Sequence, residues 1–326
     1  MRITRSARAL AVAGTLAGVL ALSACSGTGR EDTSGDAAGA DLDIAVITHG
    51  APGDSFWDVV RSGADQAGED LGVTVDYNSD PDPTRQAELI DNAVSQGVDG
   101  IVVSMANPDG LRDSVEAAVA AGIPVITINS GQGRSAEFGA ITHVGQDETT
   151  AGEAVGARLN EEGQTGKVLC VIHEAGNIGL EDRCSAVAST YAGEVENLQV
   201  DGTDTAQVQD TILSKLQSDP SVGTVLALQG QVAVAAVAAQ GDAGTSAQID
   251  TFDISSDVLD AITAGDITFA VDQQPYLQGY LPVSFLQLYA TNGNVVGGGQ
   301  PVNSGPAFVT SDNAADVARY AANGTR

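Results

Sequence analysis

A carboxylate followed by two adjacent aromatics, in Gly53-Asp54-Ser55-Phe56-Trp57, is the run of side chains with the clearest chemical use. A flat apolar face with a polar rim suits a sugar or polyol, whose C–H groups pack on the ring while its hydroxyls take hydrogen bonds from charged and amide groups. Phe56 and Trp57 can equally be core residues of a helix that begins at Ser55. Arg183 opens a helix after the loop at 176–179 and can offer two parallel donors to adjacent oxygens, or simply lie on the surface. Asp253 and Asp272 each end a strand rich in Val, Ile and Phe. As ionised acceptors each can take two hydroxyl donors; as structural residues each would cap the next helix. The capping alternative is the more serious for Asp253, which stands before Ser255-Ser256.

Several chemistries lack their motifs. Neither GxGxxG nor GxxxxGK[ST] occurs, which disfavours dinucleotide and nucleotide-triphosphate enzymes, and no cofactor is expected. No GxSxG elbow is present, and His49, His143 and His173 read as loop-end hydrogen-bonding residues rather than members of a triad. Cys170, His173, Glu174 and Cys184 lie close in sequence but match no zinc spacing, so no metal is expected. Cys170 and Cys184 are instead expected to pair; closing a loop of roughly 15 residues would stabilise the fold by about 3 kcal/mol in the chain-entropy model. Acid pairs such as Asp54 and Asp253 also leave open an exported glycan hydrolase.

The amino-terminal segment indicates export. Arg2, Arg5 and Arg8 precede an uncharged stretch from Ala9 to Ala21, the layout of a secretory signal. The stretch falls short of the roughly 20 residues a permanent membrane span requires. It ends in Leu22-Ser23-Ala24-Cys25, which resembles the bacterial lipobox. That resemblance implies removal of residues 1–24 and a diacylglycerol on Cys25, anchoring the protein to the outer face of the cell membrane. Residues 26–40, rich in Gly, Ser, Thr, Asp and Ala, read as a flexible tether. Of 14 basic residues three leave with the leader, so 11 remain against 43 acidic ones, a net charge of −32. Such acidity excludes nucleic acid as a partner, serves solubility, and disfavours anionic ligands. In an oxidising compartment a Cys170–Cys184 bond would persist.

Behind these residues stands an alternation of short Val- and Ile-rich runs with amphipathic stretches. Strands are predicted at 44–47, 73–77, 100–104, 124–128 and 141–144, with helices at 55–71, 84–96 and 108–121. A second series follows: strands at 167–172, 195–200, 222–228, 248–252 and 267–271, helices at 148–162, 180–192, 205–218, 231–240, 256–264 and 276–290. The fold class is α/β, two doubly wound parallel-sheet lobes. In such sheets ligands sit beyond the carboxyl ends of the strands. The polar segments there are 48–54, 104–107, 129–134, 173–179, 229–231, 253–256 and 272–274.

Taken in order, these segments resemble the type I periplasmic binding proteins, and among them the ribose-binding-protein-like family of sugar importers. The resemblance covers residues 42–320. It is carried by Asp54-Ser55-Phe56-Trp57, Asp99-Gly100-Ile101-Val102-Val103, Gly122-Ile123-Pro124-Val125-Ile126-Thr127, Gly145-Gln146-Asp147, Glu181-Asp182-Arg183, Thr251-Phe252-Asp253 and Asp272-Gln273-Gln274-Pro275. It implies an aromatic clamp at Phe56 and Trp57, with further contacts from Asp54, Asn129, Ser130, Arg183, Gln229, Asp253 and Gln273. Two departures remove charge: Asn129-Ser130 stands where the family often has Asp-Arg, and Gln229-Gly230 where it often has Asn-Asp. A neutral sugar other than ribose, or a sugar alcohol, is therefore the expected cargo. The resemblance further implies a monomer and three hinge crossings near Gln146, Gln273 and Asn303. The lobes are then 41–145 with 274–302, and 146–273 with 303–326. An ABC permease with its ATPase is the implied membrane partner, or else a membrane sensor that reads the ligand. The related repressors need a DNA-binding segment where this chain has its leader.

Overall fold

The computed structural model describes residues 42–326; the leader, Cys25 and the tether lie outside the described residues. One six-stranded sheet is built from β1 (Asp43–Thr48), β2 (Thr74–Ser79), β3 (Gly100–Ser104), β4 (Val125–Ile128), β5 (Thr142–Gln146) and β11 (Val302–Gly305), in the order β2-β1-β3-β4-β5-β11. The other uses β6 (Lys167–Ile172), β7 (Val195–Gln199), β8 (Val222–Ala227), β9 (Gln248–Phe252), β10 (Phe269–Asp272) and β12 (Ala307–Thr310), in the order β7-β6-β8-β9-β10-β12. The same 2-1-3-4-5 winding thus occurs twice. All pairings are parallel except β10 with β12. The chain passes between the sheets three times: after β5, after β10, and between β11 and β12. The third passage lies just beyond Asn303, because β11 still pairs with β5.

Both faces of each sheet are covered, as parallel strands require. On β1, Ile44 and Val46 meet Val60 of α1 (Ser55–Leu71) and Leu286 of α10 (Pro275–Asn292), while Ala45 and Ile47 meet the other face. That face is covered by Ile90 of α2 (Pro83–Gln96) and Leu111 of α3 (Pro108–Ala120). A short α4 (Gln132–Ser135) follows β4. In the second lobe α5 (Glu148–Glu161) and α6 (Ile178–Thr190) cover one face. The opposite face carries α7 (Thr205–Ser218), α8 (Gly230–Ala243), α9 (Ser256–Ala264) and α11 (Ala314–Ala322). Helix starts are fixed by Asp54, Asp82, Asn107, Asp147, Asn177, Asp204 and Ser255, whose side chains accept backbone N–H groups. Left-handed glycines at 72, 97, 244, 265 and 293 end five helices.

Cys170 on β6 and Cys184 on α6 stand at disulfide distance, with Cα atoms 5.9 Å apart, and both are buried in the α5/α6 core. A bond there would join a strand to the helix that carries Arg183. No helix of the described residues is long and apolar enough to cross a membrane.

α1 and α10 pack with almost no space between their backbones. A β-carbon on Gly279 would overlap the Val60 carbonyl, and one on Gly63 the Tyr276 carbonyl. Since neither backbone can give way within a helix, Gly279→Ala should destabilise the protein by about 1–3 kcal/mol or more. Urea unfolding reads this directly; a loss below about 0.5 kcal/mol would contradict the close approach.

Candidate functional site

A cavity of about 440 Å³ lies beyond the carboxyl ends of both sheets. The first lobe contributes the loop after β1, the start of α1, and the residues after β4. The second contributes the loops after β6, β7, β8 and β9, and Gln273 joins from the passage between lobes. Asp54, Phe56, Trp57, Asn129, Ser130, Arg183, Gln229, Asp253 and Gln273 all line it.

Each wall residue is held by a specific local device. Asp54 caps α1, accepting from Phe56 N at 3.0 Å through Oδ1, while its Oδ2 accepts from Gln229 Nε2 of the opposite lobe at 2.8 Å. The cap turns the first helical turn so that Phe56 and Trp57 reach the cavity. Both rings also belong to the core of the first lobe, so the two alternatives weighed for them coexist. Trp57 packs edge-on against Phe56 and against the His49 ring, with centroids 5.1 and 4.6 Å apart. Asn129 and Asp253 occupy matching places, after the fourth strand of each sheet, and both take left-handed backbone angles, φ 59° and 66°. Such strain in non-glycine residues concentrates at functional sites. Gln273 connects them: its Oε1 accepts from Asn129 at 3.3 Å and its Nε2 donates to Asp253 at 2.6 Å.

Further polar contacts cross the cleft. Ser130 Oγ lies 3.1 Å from Asn177 Oδ1, and Ile178 N donates to Ala106 O at 3.1 Å. Gln231 Nε2 donates to Gly53 O at 3.3 Å. The lobes are therefore closed on one another.

Arg183 and Asp272 have buried partners that the sequence reading does not name. The Arg183 guanidinium lines the cavity, but its Nε/Nη2 edge is given to Glu148: Nε donates to Oε2 and Nη2 to Oε1 at 2.8 Å. The pair is buried and the guanidinium lies 4.7 Å from the Phe252 ring. Both N–H groups of Nη1 and the second of Nη2 remain outside this pair, so the far end of the guanidinium still offers a two-pronged edge. Asp272 does not reach the cavity. It is fully buried, accepts from Gln274 N at 2.8 Å in the turn before α10, and accepts from Arg326 Nε at 2.6 Å. It is not the helix cap, a position held by Gln274 without a side-chain hydrogen bond. At α9 the cap is Ser255, which accepts from Val258 N at 3.2 Å and leaves Asp253 free to face the cleft.

Sequence reasoning passed over His49, Glu174, Asn177 and Asp201, all on the cavity wall. His49 is oriented by Ser104: the backbone N donates to Ser104 Oγ at 3.0 Å, and Nδ1 lies 2.6 Å from the same hydroxyl. That hydroxyl then donates to Nδ1, and Nε2–H points at Glu174 Oε2, 3.8 Å away across the cleft. Burial lowers the His49 pKa, so this is a polar contact rather than an ion pair. Burial, aided by Arg183 and His49, also holds His173 neutral, down to about 3. Of the three histidines, His143 lies within β5 and away from the cavity.

Desolvation raises the two inner carboxyls. Asp54 is pushed up to about 6, against the hydrogen bonds from Phe56 and Gln229. Asp253 is pushed up to about 7, against the nearby Arg183. Among the described residues no group of three or more His, Cys, Asp or Glu is placed to hold a metal ion.

A cavity walled by two similar lobes and rich in amides and carboxylates is an arrangement for enclosing a small polar molecule. The family model described as the periplasmic binding protein domain matches residues 44–294. The chain belongs to the periplasmic binding protein family. Its two lobes have the type I form of that fold. The chain is similar to the xylose/arabinose-binding protein of Sulfolobus acidocaldarius, 27% identical over 259 residues, 71% of this chain; the chain spans 61% of that protein's length. The ribose import binding protein of Bacillus subtilis is 25% identical over 245 residues, 74% of this chain and 78% of that one. A carbohydrate transporter structure from Acidothermus cellulolyticus, in complex with myo-inositol, has a TM-score of 0.86 and 46% identity, covering 88% of this chain and 100% of that chain. The relatives are named as sugar-binding proteins or as a carbohydrate transporter, and this chain, a periplasmic binding protein, is not an enzyme.

The raised carboxyls give a pH signature. Their folded values lie above the ordinary 3.8, so between about pH 4 and pH 7 the folded protein binds more protons than the unfolded chain. Their contribution to stability therefore falls as pH rises through that window. Asp253→Asn removes one titration, so its melting temperature relative to the parent should climb from about pH 4.5 to about pH 8. A pH-independent difference would contradict burial as the cause.

Proposed function

We propose that this protein is the extracytoplasmic solute-binding component of an ABC importer, capturing a neutral monosaccharide or sugar alcohol between its lobes for delivery to a membrane permease and its ATPase. The observation that carries this reading is the cavity itself: monosaccharide-sized, roofed by the Phe56 and Trp57 rings, and edged by Asp54, Asn129, Arg183, Gln229, Asp253 and Gln273 from both lobes. Rings pack against C–H faces while carboxylates and amides take the hydroxyl hydrogens. The Acidothermus relative bound to myo-inositol makes a cyclitol the first candidate within that class.

Capture couples to closure because the site is split. Asp54, Asn129 and Ser130 stand on one lobe, Arg183, Gln229 and Asp253 on the other, and a ligand that contacts both favours the closed arrangement over an open one. The three passages near Gln146, Gln273 and Gly305 serve as the hinge, with the lobes divided as the sequence suggests. Closure is the signal for the permease. The protein acts as a monomer, held outside the cell membrane by a diacylglycerol on Cys25 after removal of residues 1–24.

A thermal-shift screen of myo-inositol, pentoses, hexoses and sugar alcohols tests the cargo, since a ligand that binds only the folded form raises its melting temperature. At least one should do so, and Trp57→Ala should weaken its binding at least about tenfold by calorimetry with the fold intact, as a lost aromatic face is worth over 1 kcal/mol. A panel with no hit, or unchanged affinity in Trp57→Ala, would remove the reading or the clamp respectively. For the anchor, Cys25→Ser should release the protein from membranes into the soluble fraction; continued membrane retention would contradict lipidation at that position.

A further inference from the structure

The cavity wall carries four carboxyl side chains and one arginine. Asp54 and Asp253 stand in its depth, with Glu174 and the exposed Asp201 nearer the outside. No lysine lines it. Arg183 is the cation present, and Glu148, buried behind it, takes its Nε/Nη2 edge and offsets its charge. The two histidines on the wall are neutral.

We propose that the cleft prefers a polyol or sugar in which one hydroxyl is replaced by a protonated amine, an amino sugar or aminocyclitol, over the neutral isostere. The inference rests on the reading of the cleft as a polyol site and adds a charge preference to it. A hydroxyl brings one donor and no charge. An ammonium brings three donors, no acceptor and a positive charge, matching a wall that carries four carboxyl side chains. Glu148 does not line the cavity, yet it sets this preference: with the guanidinium charge offset, the carboxylates of the wall are left uncompensated.

Calorimetry at neutral pH on the full chain with two probes, myo-inositol and an amino-deoxy-inositol of the same ring, tests the inference. The amine should bind at least about tenfold more tightly, a modest share of the Coulomb attraction available near a carboxylate in a partly desolvated site. Equal or weaker binding of the amine, with myo-inositol bound, overturns the charge preference and leaves the polyol reading standing. Failure of both probes with protein that melts cooperatively overturns the two together. In Glu148→Gln, which keeps an acceptor for Arg183 but not the charge, the advantage of the amine should shrink at least about threefold while myo-inositol still binds. An unchanged ratio in a variant that retains myo-inositol binding overturns the part assigned to Glu148, and a purely structural role for that residue would move both affinities alike.

Discussion

Water leaves the cleft as the lobes close, and every carboxylate and amide on its walls must then find another partner. The local structure around the site follows from that requirement. Asp54 takes a backbone N–H from its own helix and an amide from the other lobe. Asn129, Gln273 and Asp253 form a chain of amide and carboxylate across the passage between lobes. Arg183 can be buried beside the cavity only because Glu148, at the start of the helix that follows the first passage, meets it with two hydrogen bonds.

The repeated winding explains why the site is divided as it is. Each sheet presents its strand ends to the same cleft, so a residue placed after the fourth strand in one lobe has a counterpart in the other. Asn129 and Asp253 are such a pair, each in a strained left-handed conformation that turns its side chain inward. The glycine contacts of α1 and α10 have a related purpose. They hold α10, which begins directly after the second passage, tightly against the helix that presents Phe56 and Trp57.

Much of this was legible in the amino-acid sequence because burial on both faces forces uninterrupted Val and Ile runs, as in Ile101-Val102-Val103, and because Asp and Asn mark helix starts. β11 and β12 were not assigned: Val302–Gly305 and Ala307–Thr310 are short edge strands, and nothing local in them marks pairing with strands far away in the chain. The pairings of Arg183 and of Asp272 are hidden in the sequence for the same reason. Their partners, Glu148 and Arg326, lie 35 and 54 residues distant, and only the fold brings them together. Glu174 and Asn177 sit in a loop the sequence marks as polar, yet their position opposite His49 and Ser130 depends on how the two lobes meet.

The central claim is that one ligand is held by both lobes at once and stabilises their closure. Spin labels on Thr84→Cys and Thr205→Cys, exposed positions opening α2 and α7 on opposite sides of the cleft, report that distance by pulsed electron resonance. Saturation with a sugar or cyclitol shown to bind should shift the distances to a shorter, narrower distribution. An identical distribution with and without bound ligand would contradict it.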